Sequence, residues 1–250
     1  MEAADKLEPL VRAFHKEIEQ SLSFFSSTSP SFVFTDLDRN ISVRLDEEEN
    51  GRPGIVPLTS SGYVVLGIKP EFKCTWDDSL SFPAIDQSSF AIYPYANTQR
   101  PPLFRVEYDR DRGRKNPSAH FHVHAHRDEF THLMGFSEKL NTKKNKKVRE
   151  FLKKAPAISS FHFTNGGHRF RPILEDVLES LRLEFNLDVD NALWQEHLKT
   201  VRLKWHSIQT AAVVRDNPAA AVKALQEEYG LKVPAEWDCP PARIDKINRS

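Results

Sequence analysis

Cysteine is nearly absent from this chain: there are two, Cys74 and Cys239, far apart and in no motif spacing. That excludes a disulfide scaffold as the source of stability and fits a reducing compartment, so the protein is expected in the cytoplasm. Net charge is missing as well, because 35 Lys and Arg balance 35 Asp and Glu. No global field draws the chain to nucleic acid or to an anionic membrane, and any such contact has to be local. Nowhere is there an apolar run approaching ~18 residues, and the opening Met-Glu-Ala-Ala-Asp-Lys carries charge where an export signal needs an apolar core; neither a membrane partner nor export is expected. Gly-x-Ser-x-Gly, the Walker loop and the dinucleotide loop are all lacking, and neither cysteine has a histidine beside it. Nucleophilic hydrolase and nucleotide-fold classes therefore receive no direct support.

What is present has clear periodicity. Leu7, Leu10, Val11, Phe14, Ile18 and Leu22 recur at helical spacing and predict an amphipathic helix over residues 4–22 that packs on the sheet after it. Short strands are predicted over 32–35, 41–45, 63–68, 71–76, 90–93 and 103–108, with Lys69 and Pro70 separating two of them. Connections this short favour antiparallel pairing. A short helix over 128–140, a strand over 159–164 and helices over 172–185, 192–214 and 218–229 complete the reading, with Pro172 opening one helix and Gly230 closing another. The order argues an α+β class: a mainly antiparallel sheet with an N-terminal helix and a helical C-terminal region. Residues 1–170 are expected to form the sheet domain, 171–233 a helical region packed on it, and 234–250 an irregular tail.

Histidine is where the chain departs from what folding requires. Of ten histidines, four fall at His120, His122, His124 and His126, alternating with Phe121, Val123 and Ala125. A period of two puts the imidazoles on one face and the apolar side chains on the other, which predicts a half-buried strand with its imidazoles outward. Residues two apart on a strand stand about 7 Å apart and point the same way, so neighbouring imidazoles can share one metal ion if they lean together. His120, His122 and His124 are the candidate ligands, zinc the candidate metal, and His162, Glu107 or Glu129 can supply a further ligand. The competing reading is a solvated face. The loop between 103–108 and this strand implies that the two pair, setting either Arg105 and Glu107 or Tyr108 beside the imidazoles; sequence leaves that register open.

Two further stretches carry chemistry. His162 and Thr164, followed by Gly166, Gly167, His168 and Arg169, combine a general base with free turn amides and a cation that can hold phosphate. Residues 143–154 hold seven basic side chains against Glu150 and read as a solvated face or, alternatively, as a nucleic-acid contact.

The run from His120 to His126 resembles the histidine triad nucleotide hydrolases; the resemblance implies a nucleophilic middle histidine, His122 or, in the shifted register, His124. Residues 103–185, with His-Phe-Thr-Asn-Gly-Gly-His-Arg-Phe-Arg-Pro, resemble uncharacterised bacterial proteins, some of them suspected components of toxin and antitoxin pairs, which implies RNA as a substrate. Together these expectations describe a histidine- or metal-dependent phosphodiesterase or nuclease acting on RNA or a nucleotide. His122 and His124 serve as metal ligands or as acid and base, His120, His162 and Glu107 complete the site, and Arg105, Arg169 and His168 bind substrate. The alternative is a non-enzymatic module, metal-stabilised, that uses the sheet to bind a protein partner.

Overall fold

Apolar residues spaced by three and four wind Ala4–Ser23 into helix α1, with Leu7, Val11, Ile18 and Leu22 buried along one side. On the opposite side Glu8 and Arg12 form an exposed ion pair one turn apart. The computed structural model describes residues 4–26, 30–37, 40–46, 54–77, 83–110, 117–124, 163–164 and 169–247. The expected helix over 128–140 and the basic segment 143–154 lie outside them.

The strands are β1 (Phe32–Leu37), β2 (Asn40–Leu45), β3 (Val56–Ser60), β4 (Tyr63–Trp76), β5 (Pro83–Pro94), β6 (Phe104–Asp109), β7 (Ala119–Val123) and β8 (Phe163–Thr164). They make one sheet in the order β1-β2-β4-β5-β6-β7-β8, with β3 paired to β4. Every pairing is antiparallel. The helices that follow are α2 (Leu174–Phe185), α3 (Asn191–Asp216), α4 (Pro218–Tyr229) and the single turn α5 (Ile244–Ile247), the last within the tail expected to be irregular. The class is α+β. Among the described residues no helix is long and apolar enough to cross a membrane.

Two strand boundaries differ from expectation for reasons of position. Lys69 and Pro70 do not break β4, because Pro70 falls between the last rung to β3, at Ile68, and the first rung to β2, at Glu71. A missing N–H costs least in such a gap. The unexpected strand β3 carries Pro57 but pairs with β4 alone, so it is an edge, where proline is tolerated.

The two sheet faces have opposite character. Val43, Phe72, Phe90 and Val106 turn to one side and form a single core with α1, with Leu174, Leu178 and Leu181 of α2, and with Trp194 and Leu198 of α3. The register aligns polar residues on the other side in one continuous row: Arg44, Glu71, Ser89, Glu107 and His120 are successive partners across five strands. Helix α3 starts at Asp190, whose carboxylate accepts the N–H groups of Ala192 and Leu193 at 3.0 and 3.1 Å. Gly230, at φ 67°, closes α4 in the left-handed conformation that glycine adopts without strain.

Inside the helical layer a buried polar clasp ties three helices. Ser21 Oγ of α1 lies 2.6 Å from Glu175 Oε1 of α2 and 2.9 Å from His197 Nε2 of α3. Burial raises the Glu175 carboxyl above its ordinary value, with Ser21 and a backbone hydrogen bond opposing. The folded state thus holds that proton more tightly than the unfolded chain does. Its contribution to stability is full below the ordinary carboxylate value and is lost as pH rises through the raised one. Urea unfolding of Glu175→Gln across pH 4 to 8 is expected to show a flatter pH profile than the parent, whereas Ser21→Ala should lose about 1–3 kcal/mol by leaving the buried carboxyl without its partner.

Candidate metal centre

Strand β6 alternates Phe104, Val106 and Tyr108 with Arg105, Glu107 and Asp109, so its polar side chains share one face. Antiparallel pairing with β7 sets Glu107 opposite His120 and Arg105 opposite His122. Of the two registers that sequence left open, the chain adopts the one that brings the carboxylate to the imidazoles.

The imidazole side is the buried one, contrary to expectation. His120 is 0 % exposed and His122 6 %, whereas Phe121 packs at the margin of the core and is only half-buried. Alternation set the faces correctly, but hydrophobicity misjudged which was better covered. A buried imidazole needs a partner. Here the partners are each other and one acid.

Three atoms converge. Glu107 Oε2 lies 3.2 Å from His120 Nε2 and 3.0 Å from His122 Nε2, and the two imidazole nitrogens are 3.1 Å apart. On its other nitrogen, Nδ1, His120 lies 2.9 Å from the Pro117 carbonyl, an acceptor only, so Nδ1–H donates there. Nε2 of His120 and Nε2 of His122 both face the carboxylate, and an N–H on either ring donates to it. Atoms of this kind at this spacing share either an imidazole N–H or a metal ion. A triangle with sides of 3.0, 3.1 and 3.2 Å has a circumradius of about 1.8 Å, small enough for all three corners to reach one ion at ordinary ligand distances of about 2.1 Å. An ion held there would have three protein ligands. Glu107, His120 and His122 are the group of metal-capable ligands that the described residues bring together.

Electrostatics keep the carboxylate charged. Burial pushes the Glu107 carboxyl up, but the hydrogen bond from His120 and the charges of Arg105, His122 and His120 outweigh it and hold the carboxyl at about 2. Arg105 Nε stands 3.4 Å from the other oxygen, Oε1, so one oxygen faces the guanidinium and the other the histidines.

Beside the triangle, Glu107 forms part of the wall of a cavity of about 380 Å³ on the polar face, with Arg44, Glu71, Lys73, Ser89 and Asp109.

The remaining candidates separate. His124 follows the end of β7, its backbone N–H still bonded to the Leu103 carbonyl at 2.9 Å. It stands outside the triangle, with Nε2 buried and lacking a hydrogen-bond partner among the described residues. Burial, then Arg105 and His122, lower its basicity against a weaker opposing pull from Glu107. Arg169 is not brought to this site. It ion-pairs with Asp216 at 2.7 Å and lines a cavity on the sheet's opposite, helix-covered side. His126, Glu129, His162 and His168 lie outside the described residues.

No protein-family model, curated protein or solved structure matches the chain, so the chemistry of the centre rests on its own geometry. Because His120 is fully buried and bonded on both ring nitrogens, His120→Ala is expected to cost about 1–3 kcal/mol in chemical unfolding. A surface histidine would cost almost nothing.

Proposed function

We propose that Glu107, His120 and His122 hold one divalent ion, zinc in the first instance, and that the chain is a cytoplasmic metal-dependent phosphodiesterase or nuclease. The observation carrying this reading is the triangle of three metal-capable atoms with sides no longer than 3.2 Å, one of its imidazoles oriented by the Pro117 carbonyl. Two histidines and one glutamate are a donor set that zinc accepts in catalytic sites. The bound metal would polarise a phosphoryl oxygen and lower the pKa of an attacking water.

Around it, each residue has a separate task. Arg105 offers a guanidinium next to the centre for a phosphate oxygen. His124, whose basicity burial and then Arg105 lower so that the neutral ring is favoured, is the candidate base. The adjoining cavity carries Arg44 and Lys73 against Glu71, Glu107 and Asp109, so the phosphate contact falls to Arg105 and the metal. RNA or a nucleotide is the substrate class the sequence resemblance implies. Full burial of His120 favours a second reading, a metal-stabilised module that binds a protein partner and does no chemistry.

One experiment separates the two. Protein freed of metal with a chelator is titrated with zinc by calorimetry, then assayed on bis(p-nitrophenyl) phosphate and single-stranded RNA. We expect one zinc per chain, at least tenfold weaker binding in Glu107→Gln and in His122→Ala, and hydrolysis that follows zinc occupancy. Stoichiometric zinc without hydrolysis would leave the binding module; no zinc uptake would remove the metal from both readings.

A further inference from the structure

A second chemical environment lies on the other side of the sheet. Between β4, β5 and β6 and the helices α1, α2 and α3 is a cavity of about 670 Å³, well within the size range of small-molecule sites. Its lining mixes apolar side chains, among them Phe14, Phe72, Phe90 and Ile208, with charge. Six of the lining side chains are cationic and four acidic. The acids are partly committed: Asp216 pairs with Arg169 and Glu17 with Lys204. Glu175 is bonded to Ser21, and burial favours its neutral form. By count the lining carries two more cations than acids, with Arg169 and Lys204 themselves taken up by Asp216 and Glu17.

Its distinctive element is a stacked guanidinium. Arg171 sits over the ring of Tyr108 at 3.7 Å and near that of Trp205 at 4.9 Å. The cation is within cation–π reach of an aromatic from the sheet and one from α3. Two acceptors also stand buried in the wall without a hydrogen-bond partner among the described residues. They are Gln209 Oε1 and Asp216 Oδ1, on side chains 7 % and 4 % exposed. Buried acceptors are rarely left unmatched, and here they call for an N–H or O–H donor from whatever fills the cavity.

We infer that this cavity is a binding site for a planar aromatic acid that also carries a hydroxyl or amino group. The apolar walls, Phe14, Phe72 and Phe90 among them, take the ring, the cationic lining takes the acid group, and Gln209 and Asp216 accept from the donor. Phosphoester and carboxylate satisfy the same requirement. This site is distinct from the metal centre. Glu107 and Tyr108 are consecutive on β6 and point to opposite faces, so one strand serves both.

The probe that tests this on the full chain is 8-anilinonaphthalene-1-sulfonate, an aromatic acid with one N–H donor. Its uncharged counterpart is N-phenyl-1-naphthylamine, which keeps the rings and the N–H. Fluorescence titration is expected to give one saturable site for the sulfonate and at least tenfold weaker binding of the neutral amine. Arg243→Gln, at an exposed lining residue, should weaken sulfonate binding at least threefold, and Ala212→Phe, which fills the cavity from α3, should abolish it. Both variants are checked for a cooperative thermal transition, and Arg243→Gln decides the matter if the filled variant fails to fold. Glu107→Gln should leave probe binding unchanged, which keeps this result independent of the metal centre. Competition by phenyl phosphate and by benzoate then tells a phosphoester ligand from a carboxylate. Equal binding of the neutral amine, sulfonate binding indifferent to Arg243→Gln, or no saturable binding at all would each overturn the proposal.

Discussion

Three metal-capable atoms held within 3.2 Å of one another are the constraint around which the polar face of this sheet is arranged. A guanidinium at the far oxygen of Glu107 and a carbonyl at Nδ1 of His120 hold the group in place. An imidazole N–H can link the three atoms. A divalent ion in its place would satisfy all three and, under the proposed function, would supply the reactive centre.

That convergence depends on backbone register more than on any side chain. Glu107 faces His120 only because β6 and β7 pair with Tyr108 opposite Ala119; a slip of one residue would turn the carboxylate to the core and Tyr108 to the histidines. The register is held from both sides, by β5 on one and by β8 on the other. Apolar rungs on the opposite face, Phe90 to Val106 to Phe121, fix the same alignment through packing. The core and the site are thus two readings of a single pairing pattern, and β6 supplies both.

Much of this was legible in the residues, and the part that was not has a physical reason. Strict alternation from His120 to Val123 implied a shared imidazole face, and Arg105 with Glu107 on the preceding strand implied which partners were within reach. Burial was misjudged because hydrophobicity ranks side chains one at a time, whereas His120 is 0 % exposed on a strand paired on both sides, by β6 and β8. Pro70 looked like a break because local propensity cannot see that two different strands meet β4 on either side of it. Arg169 looked like a phosphate holder beside a glycine turn, but its partner Asp216 lies 47 positions later in the chain. Arg171, Tyr108 and Trp205 come from three separate elements and leave no local pattern at all.

Anomalous diffraction from crystals of the full chain grown with zinc, recorded above and below the zinc absorption edge, locates the ion without reference to any activity. The account predicts one strong peak about 2.0–2.2 Å from each of Glu107 Oε2, His120 Nε2 and His122 Nε2, standing to one side of their plane. No peak at that position, with the three side chains still in mutual hydrogen-bond contact, would mean that a proton holds the cluster together and would contradict the metal centre.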